Sequence, residues 1–145
     1  MKNTFPLVAL CALSLAACGG GEEAAEEMPA AGTGTVTIVE PAQGSTVTGP
    51  NVTVRLSTTG VPIVPAGELT PGTGHHHLYL DADVASMTAP VPTVPGSIIH
   101  MGNAASEFTF ENVTPGQHRL IAVVADGVHV PLNPPVMDTV TFTVQ

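Results

Sequence analysis

The sequence predicts an all-β domain: an antiparallel β-sandwich of immunoglobulin-like type with about seven strands, over residues 35–145. Three observations predict it. Short runs rich in Val, Ile, Thr and Phe alternate apolar and polar residues, the period of a half-buried strand. Turn-forming clusters, "PAQGS", "TPGTG", "TPGQ" and "NPP", divide those runs. After residue 34 no stretch carries a convincing helical period.

The strands are expected in order at "TVTIVE" (35–40), "NVTVRLS" (51–57), "HHHLYLD" (75–81), "SEFTFENV" (106–113), "HRLIAVVAD" (118–126) and "DTVTFTV" (138–144). Val52, Val54 and Leu56 share one face of the second run, and Thr53, Arg55 and Ser57 the other. Phe108 with Phe110, and Val140 with Phe142 and Val144, pair in the same way. There is no Trp, and no pair of cysteines remains in the domain to bridge two sheets, so aliphatic packing must hold it. The run "PVPTVPG" (90–96) favours extended chain and is expected as a stiff loop covering a sheet edge.

Residues 1–17 read as a lipoprotein signal peptide. Lys2 precedes the apolar stretch "FPLVALCALSLAA", which is too short to span a bilayer. "LAAC" then resembles the bacterial lipobox, which implies that Cys18 is lipidated and becomes the first mature residue. Gly19 after it resembles outer-membrane sorting, with the domain facing the periplasm or the exterior. Residues 18–34, "CGGGEEAAEEMPAAGTG", hold too little apolar surface to fold and form an acidic flexible tether.

Once the signal is removed, Arg55 and Arg119 alone oppose twelve acidic residues, a net charge near −10. That disfavours nucleic acid and anionic lipid surfaces as partners. Cys11 leaves with the signal and Cys18 carries lipid, so no thiolate is free for a metal or a disulfide. A metal would need imidazole, carboxylate or thioether ligands.

The stretch "GTGHHHLYLDAD" (72–83) carries the functional question. On a strand, His75, His77, Tyr79 and Asp81 share one face, and His76, Leu78 and Leu80 the other. The leucines mark the core face, with His76 at its edge, so His75 and His77 are expected on the wetter side. Alternate residues on a strand lie about 6–7 Å apart, close enough for two imidazoles to meet at one ion. His100 in "SIIHMGN" and His129 in "DGVHVPL" are the candidates for the remaining ligands, with Asp126 fixing a ring tautomer from outside. His118, at the start of its strand after "TPGQ", has two open readings: a further ligand, or a corner residue doing the job a tyrosine does in many sandwiches. Tyr79 is expected as a packing residue, and Asp81 with Asp83 as solvated strand-end acids.

"GHHHLYLD", "IHMGNAASEF" and "PGQHRLIAVVADGVHVPLNPP" together resemble an uncharacterised family of bacterial secreted domains with a GHHHLLID-like strand. The resemblance spans roughly residues 35–145. It places the family's histidines on His75, His76, His77, His100, His118 and His129, and implies a sandwich with one histidine-centred site. Met101 stands where an aromatic is usual. A weaker architectural likeness is to copper–zinc superoxide dismutases, which mount a His-x-His strand on a sandwich; here the disulfide and a zinc loop are lacking. No GxSxG, HExxH or P-loop pattern occurs, and no enzymatic activity is expected.

The function expected from sequence is therefore a lipid-anchored envelope protein whose histidine cluster binds copper or zinc. Met101 beside His100 tilts the choice toward copper. The alternative is a non-enzymatic adhesion or interaction module, its partner an envelope protein or polysaccharide, in which the histidines are structural.

Overall fold

The computed structural model describes residues 34–145, so the signal peptide, Cys18 and the tether lie outside the described residues. Eight strands form: β1 (Thr35–Glu40), β2 (Thr46–Val47), β3 (Val52–Thr59), β4 (His75–Leu80), β5 (Ile98–Met101), β6 (Glu107–Phe110), β7 (Gly116–Ala125) and β8 (Met137–Val144). They make a three-stranded sheet, β1-β3-β6, and a five-stranded sheet, β2-β8-β7-β4-β5. The described residues contain no helix.

The sandwich core follows from the alternation. Val52, Val54 and Leu56 turn inward from β3, and meet Leu78, Leu120, Ala122 and Phe142 from the larger sheet. Phe110 is buried there too, with the Phe108 ring edge-on at 5.0 Å.

The structure departs from the sequence reading at two strands. β2 and β5 have only two and four residues, too short for a periodic signal. β2 also pairs in parallel with β8, whereas every other pair of strands is antiparallel.

The second departure matters more. All six residues of β4 are buried, so the side expected to be wet is covered. β4 lies between β7 and β5, and β7 carries the unbroken apolar run Leu120–Ala125, which is buried on both faces. A second apolar cluster forms on the outer face of the large sheet: Tyr79, Val91, Ile98, Ile121, Val123 and Ala125. Val91 comes from the proline-rich run, which thus crosses the sheet's outer face as well as meeting edge strand β5 through the Val94–Ile98 bridge. Tyr79 is a packing residue, 1 % exposed.

Candidate metal centre

Strand pairing brings four histidines together on that outer face. His75 and His77 project from β4 two residues apart, and His77 is the direct cross-strand partner of His100 on β5. His129 arrives from the loop after β7, whose Ala125 is the cross-strand partner of His75. Its backbone lies in the left-handed region, φ 71°, a conformation disfavoured for a residue with a Cβ. The carbonyl of His129 accepts a hydrogen bond from the Val91 amide (2.8 Å), which ties the loop to the covering segment.

The rings meet in two pairs through their Nε2 atoms. His77 Nε2 and His75 Nε2 are 3.0 Å apart, and His129 Nε2 and His100 Nε2 are 3.2 Å apart. All six ring-to-ring centroid distances among the four fall between 4.7 and 5.7 Å. Four imidazoles on a tetrahedral zinc at about 2.05 Å would hold their nitrogens about 3.3 Å apart and their ring centroids about 5.2 Å apart. Possible ligand atoms of His75, His100 and His129 all lie within 4.8 Å of one another; His77 stands outside that group and touches it through His75.

The cluster has a buried half and a solvent-facing half. His75 and His77 are fully buried, whereas His100 and His129 reach in from the side open to water. Burial holds the His75 ring at about 4, with the neighbouring His100 and His129 adding to the effect. Burial likewise holds His77 at about 3, reinforced by His75. His100 is lowered by burial and then by His129. These three rings are neutral at pH 7, the form that ligates. The Nδ1 atoms of His75 and His77 are buried without a hydrogen-bond partner. Each such atom costs about 1–3 kcal/mol.

The other expected site residues lie elsewhere or act differently. His118 is on the inner face of β7, with Leu120 and Ala122, and its ring sits 5.7 Å from that of Phe142. It lies five residues along β7 from Val123, the partner of His77, or about 16 Å at the usual strand rise. Its Nε2 donates to the Thr114 carbonyl (2.7 Å) and its Nδ1 meets Asp81 Oδ2 (2.6 Å). Both ring nitrogens are thus engaged at the corner, apart from the four clustered histidines, as in the corner reading of His118. The side chain of Asp126 binds no ring: its Oδ1 accepts from the Val128 and Val130 amides (3.0 and 2.9 Å), shaping the loop that presents His129. Met101 pairs with His76 and turns into the sandwich core, 3 % exposed. Its thioether faces away from the cluster, which removes the ground for preferring copper.

His76 shows what a structural histidine looks like in this fold. Its Nε2 meets the Thr58 hydroxyl (2.8 Å) and its Nδ1 donates to the Ala105 carbonyl (2.9 Å), linking the two sheets. Burial lowers its pKa against the opposing effect of the Ala105 bond. His76 and His118 each have both ring nitrogens engaged by other groups of the protein; the four clustered rings face one another instead. Sequence reasoning missed Gly102. A Cβ there would overlap the His100 ring, so a glycine two residues past that histidine is what leaves it room.

No curated protein matches this chain. Among solved structures, a crystal structure of an engineered protein matches with 12 % identity and a TM-score of 0.44, covering 77 % of this chain and 20 % of that one. A family profile described as a domain of unknown function, DUF4399, matches residues 54–145, the segment holding both structural histidines and all four clustered ones. The chain therefore belongs to the DUF4399 family of domains of unknown function.

Proposed function

We propose that this domain binds one metal ion through His75, His77, His100 and His129, and that zinc is the preferred ion with copper second. The observation that carries the reading is the spacing of four imidazole centroids at 4.7–5.7 Å, with Nε2 atoms meeting in two pairs and three of the rings offering ligand atoms within 4.8 Å of one another. An all-nitrogen tetrahedral set suits zinc, whereas Cu²⁺ favours square-planar sites and Cu⁺ favours sulfur. Four protein ligands leave no position for a substrate, so the role is storage, delivery or structural support rather than catalysis. The lipobox "LAAC" supports placement at the cell envelope, held to the membrane by lipid on Cys18.

A rival reading, an interaction module with structural histidines, draws on His76 and His118, whose rings do tie the fold together. The four-ring cluster distinguishes the two, because it makes no comparable bonds to the rest of the protein. Metal content of the protein purified without a polyhistidine tag decides between them. One zinc or copper per chain, lost on His75→Ala, is the expected result. A wild-type protein that binds neither ion more tightly than about 10 µM, about 7 kcal/mol, would end the metal reading.

A further inference from the structure

The two solvent-facing ligands sit on different elements, and something must fix their separation. His100 ends on β5 and His129 sits in the loop after β7, with β4 between the two strands. The loop between β3 and β4 passes over both. The Ala66 amide donates to the Gly102 carbonyl (2.9 Å) and the Gly67 amide donates to the Gly127 carbonyl (3.2 Å). Gly102 lies two residues beyond His100, and Gly127 two residues before His129. Adjacent amides of one strap thus hold the backbones that carry the two histidines.

Contact at both ends is too close for a side chain. A Cβ on Gly102 would overlap the His100 ring and press on the Ala66 methyl; a Cβ on Gly127 would overlap the Glu68 carbonyl oxygen. Beside the His129 loop, residues 69–73, 126–128 and 130–133 line a cleft of about 380 Å³. The loop's other ties include Val91 N to the His129 carbonyl, the Asp126 cap, and the pairing of Pro131 with Ala125. Of these, only the Val91 bond leads on to β5, and it does so indirectly, through the Val94–Ile98 bridge at the start of that strand.

We infer that the strap Pro65–Glu68, through Gly102 and Gly127, is the positioning element that sets His100 against His129 and so completes the metal site around the buried pair His75–His77. Gly102 and Gly127 are positioning residues that touch no metal. This rests on the metal-binding reading above. The buried pair is held by β4 alone, so the outer pair is the half through which an ion enters and leaves.

Cobalt(II) is the probe, since its visible absorption is strong in tetrahedral sites and weak at higher coordination. Gly127→Ala in the full chain is expected to weaken cobalt binding at least tenfold and to reduce the visible bands, with the β-sheet circular dichroism retained. Gly44→Ala is the control for a glycine substitution away from the strap: Gly44 has a positive φ (74°), which Gly127 lacks, and open space around it, so its backbone cost is at least as large; its cobalt spectrum stays that of wild type. Zinc loading of the wild type is expected to slow amide exchange at Ala66 and Gly67 at least tenfold, a measurement that holds even where Gly127→Ala does not fold. A wild type that binds no cobalt or zinc sinks the metal reading and this inference with it. A wild type that binds, beside a folded Gly127→Ala of unchanged affinity and spectrum, or beside unchanged exchange at both strap amides, overturns the positioning role alone.

Discussion

His77 Nε2 lies 3.0 Å from His75 Nε2, with both rings fully buried. A contact that short between ring nitrogens admits one proton or one shared cation, never two imidazoliums. The His100–His129 contact at 3.2 Å repeats the relationship on the solvent side. In the metal-free protein each pair is thus joined by one N–H···N bond, and a bound cation would take the place of the shared protons.

The first prediction separates five of the six histidines by role. His75→Ala, His77→Ala and His100→Ala should each weaken zinc binding by about 100-fold or more, since each removes one of four ligands. His76→Ala should leave zinc affinity close to wild type, while breaking its bonds to Thr58 and Ala105 costs on the order of 2 kcal/mol of stability. His118→Ala should behave like His76→Ala, because its partners are Asp81 and Thr114. Calorimetric titration beside chemical denaturation reads both quantities. Loss of zinc binding in a folded His118→Ala would contradict this division.

Acid should destabilise the metal-free protein, and the sign can be worked out. His75 and His77 have folded-state pKa values of about 4 and about 3, below the ordinary 6.5. The unfolded chain therefore binds more protons between pH 6.5 and about 3, and stability falls as pH falls through that window. His118 runs the other way: burial pulls its pKa down, but its bonds to Asp81 and Thr114 outweigh that, and the net shift is upward. Its contribution is complete below 6.5 and fades above it. Melting temperatures from pH 8 to pH 3 should drop on the acid side, and less steeply in His75→Ala. A flat profile down to pH 4 would contradict the burial of neutral imidazoles.

Phe110 is 3 % exposed and packs in the main core against its neighbours from both sheets. Phe110→Ala should cost about 3–5 kcal/mol, the usual range for emptying a large buried site. Urea denaturation measures it. A loss under 1 kcal/mol would mean that the ring is not packed as described.

The sandwich was legible because alternation is a local property. Val52, Val54 and Leu56 announce an inner face without knowledge of the partner sheet. The burial of His75 and His77 was not legible from β4, whose own pattern shows two leucines on one side only. The signal lay on its neighbour: Leu120–Ala125 on β7 does not alternate, which means that both faces of that strand are covered. The convergence of His100 on His77 depends on the four-residue strand β5, too short to register as a period. Met101 misled for the same reason. It follows His100 in sequence, and on a strand the next residue points to the opposite face.

Anchoring is tested outside the folded domain. Cys18→Ser should release the protein from membranes or leave an uncleaved precursor, because the lipobox cysteine "LAAC" is the residue that would be lipidated. Membrane fractionation with labelled fatty acid reads this. A wild type that carries no lipid and fractionates as the variant does would reject lipidation.

His129 permits a test that separates ligand chemistry from backbone strain. Its φ of 71° places it in the left-handed region, where Asn is tolerated and most residues with a Cβ are not. The loop is also fixed there by the Asp126 cap and by the bond from the Val91 amide to the His129 carbonyl, and neither uses the imidazole. His129→Asn should keep the backbone and lose the ligand. His129→Ala should lose the ligand and fit the backbone less well. Both variants should bind zinc about 100-fold more weakly than wild type, yet in the metal-free state His129→Asn should be the more stable of the two by about 1 kcal/mol. When free zinc stands at 100 times the wild-type dissociation constant, the wild type should gain about 2.7 kcal/mol and each variant only about 0.4 kcal/mol. Zinc affinity unchanged in His129→Asn would remove His129 from the ligand set, whereas equal metal-free stability of the Asn and Ala variants would show that the left-handed turn imposes no cost at this position.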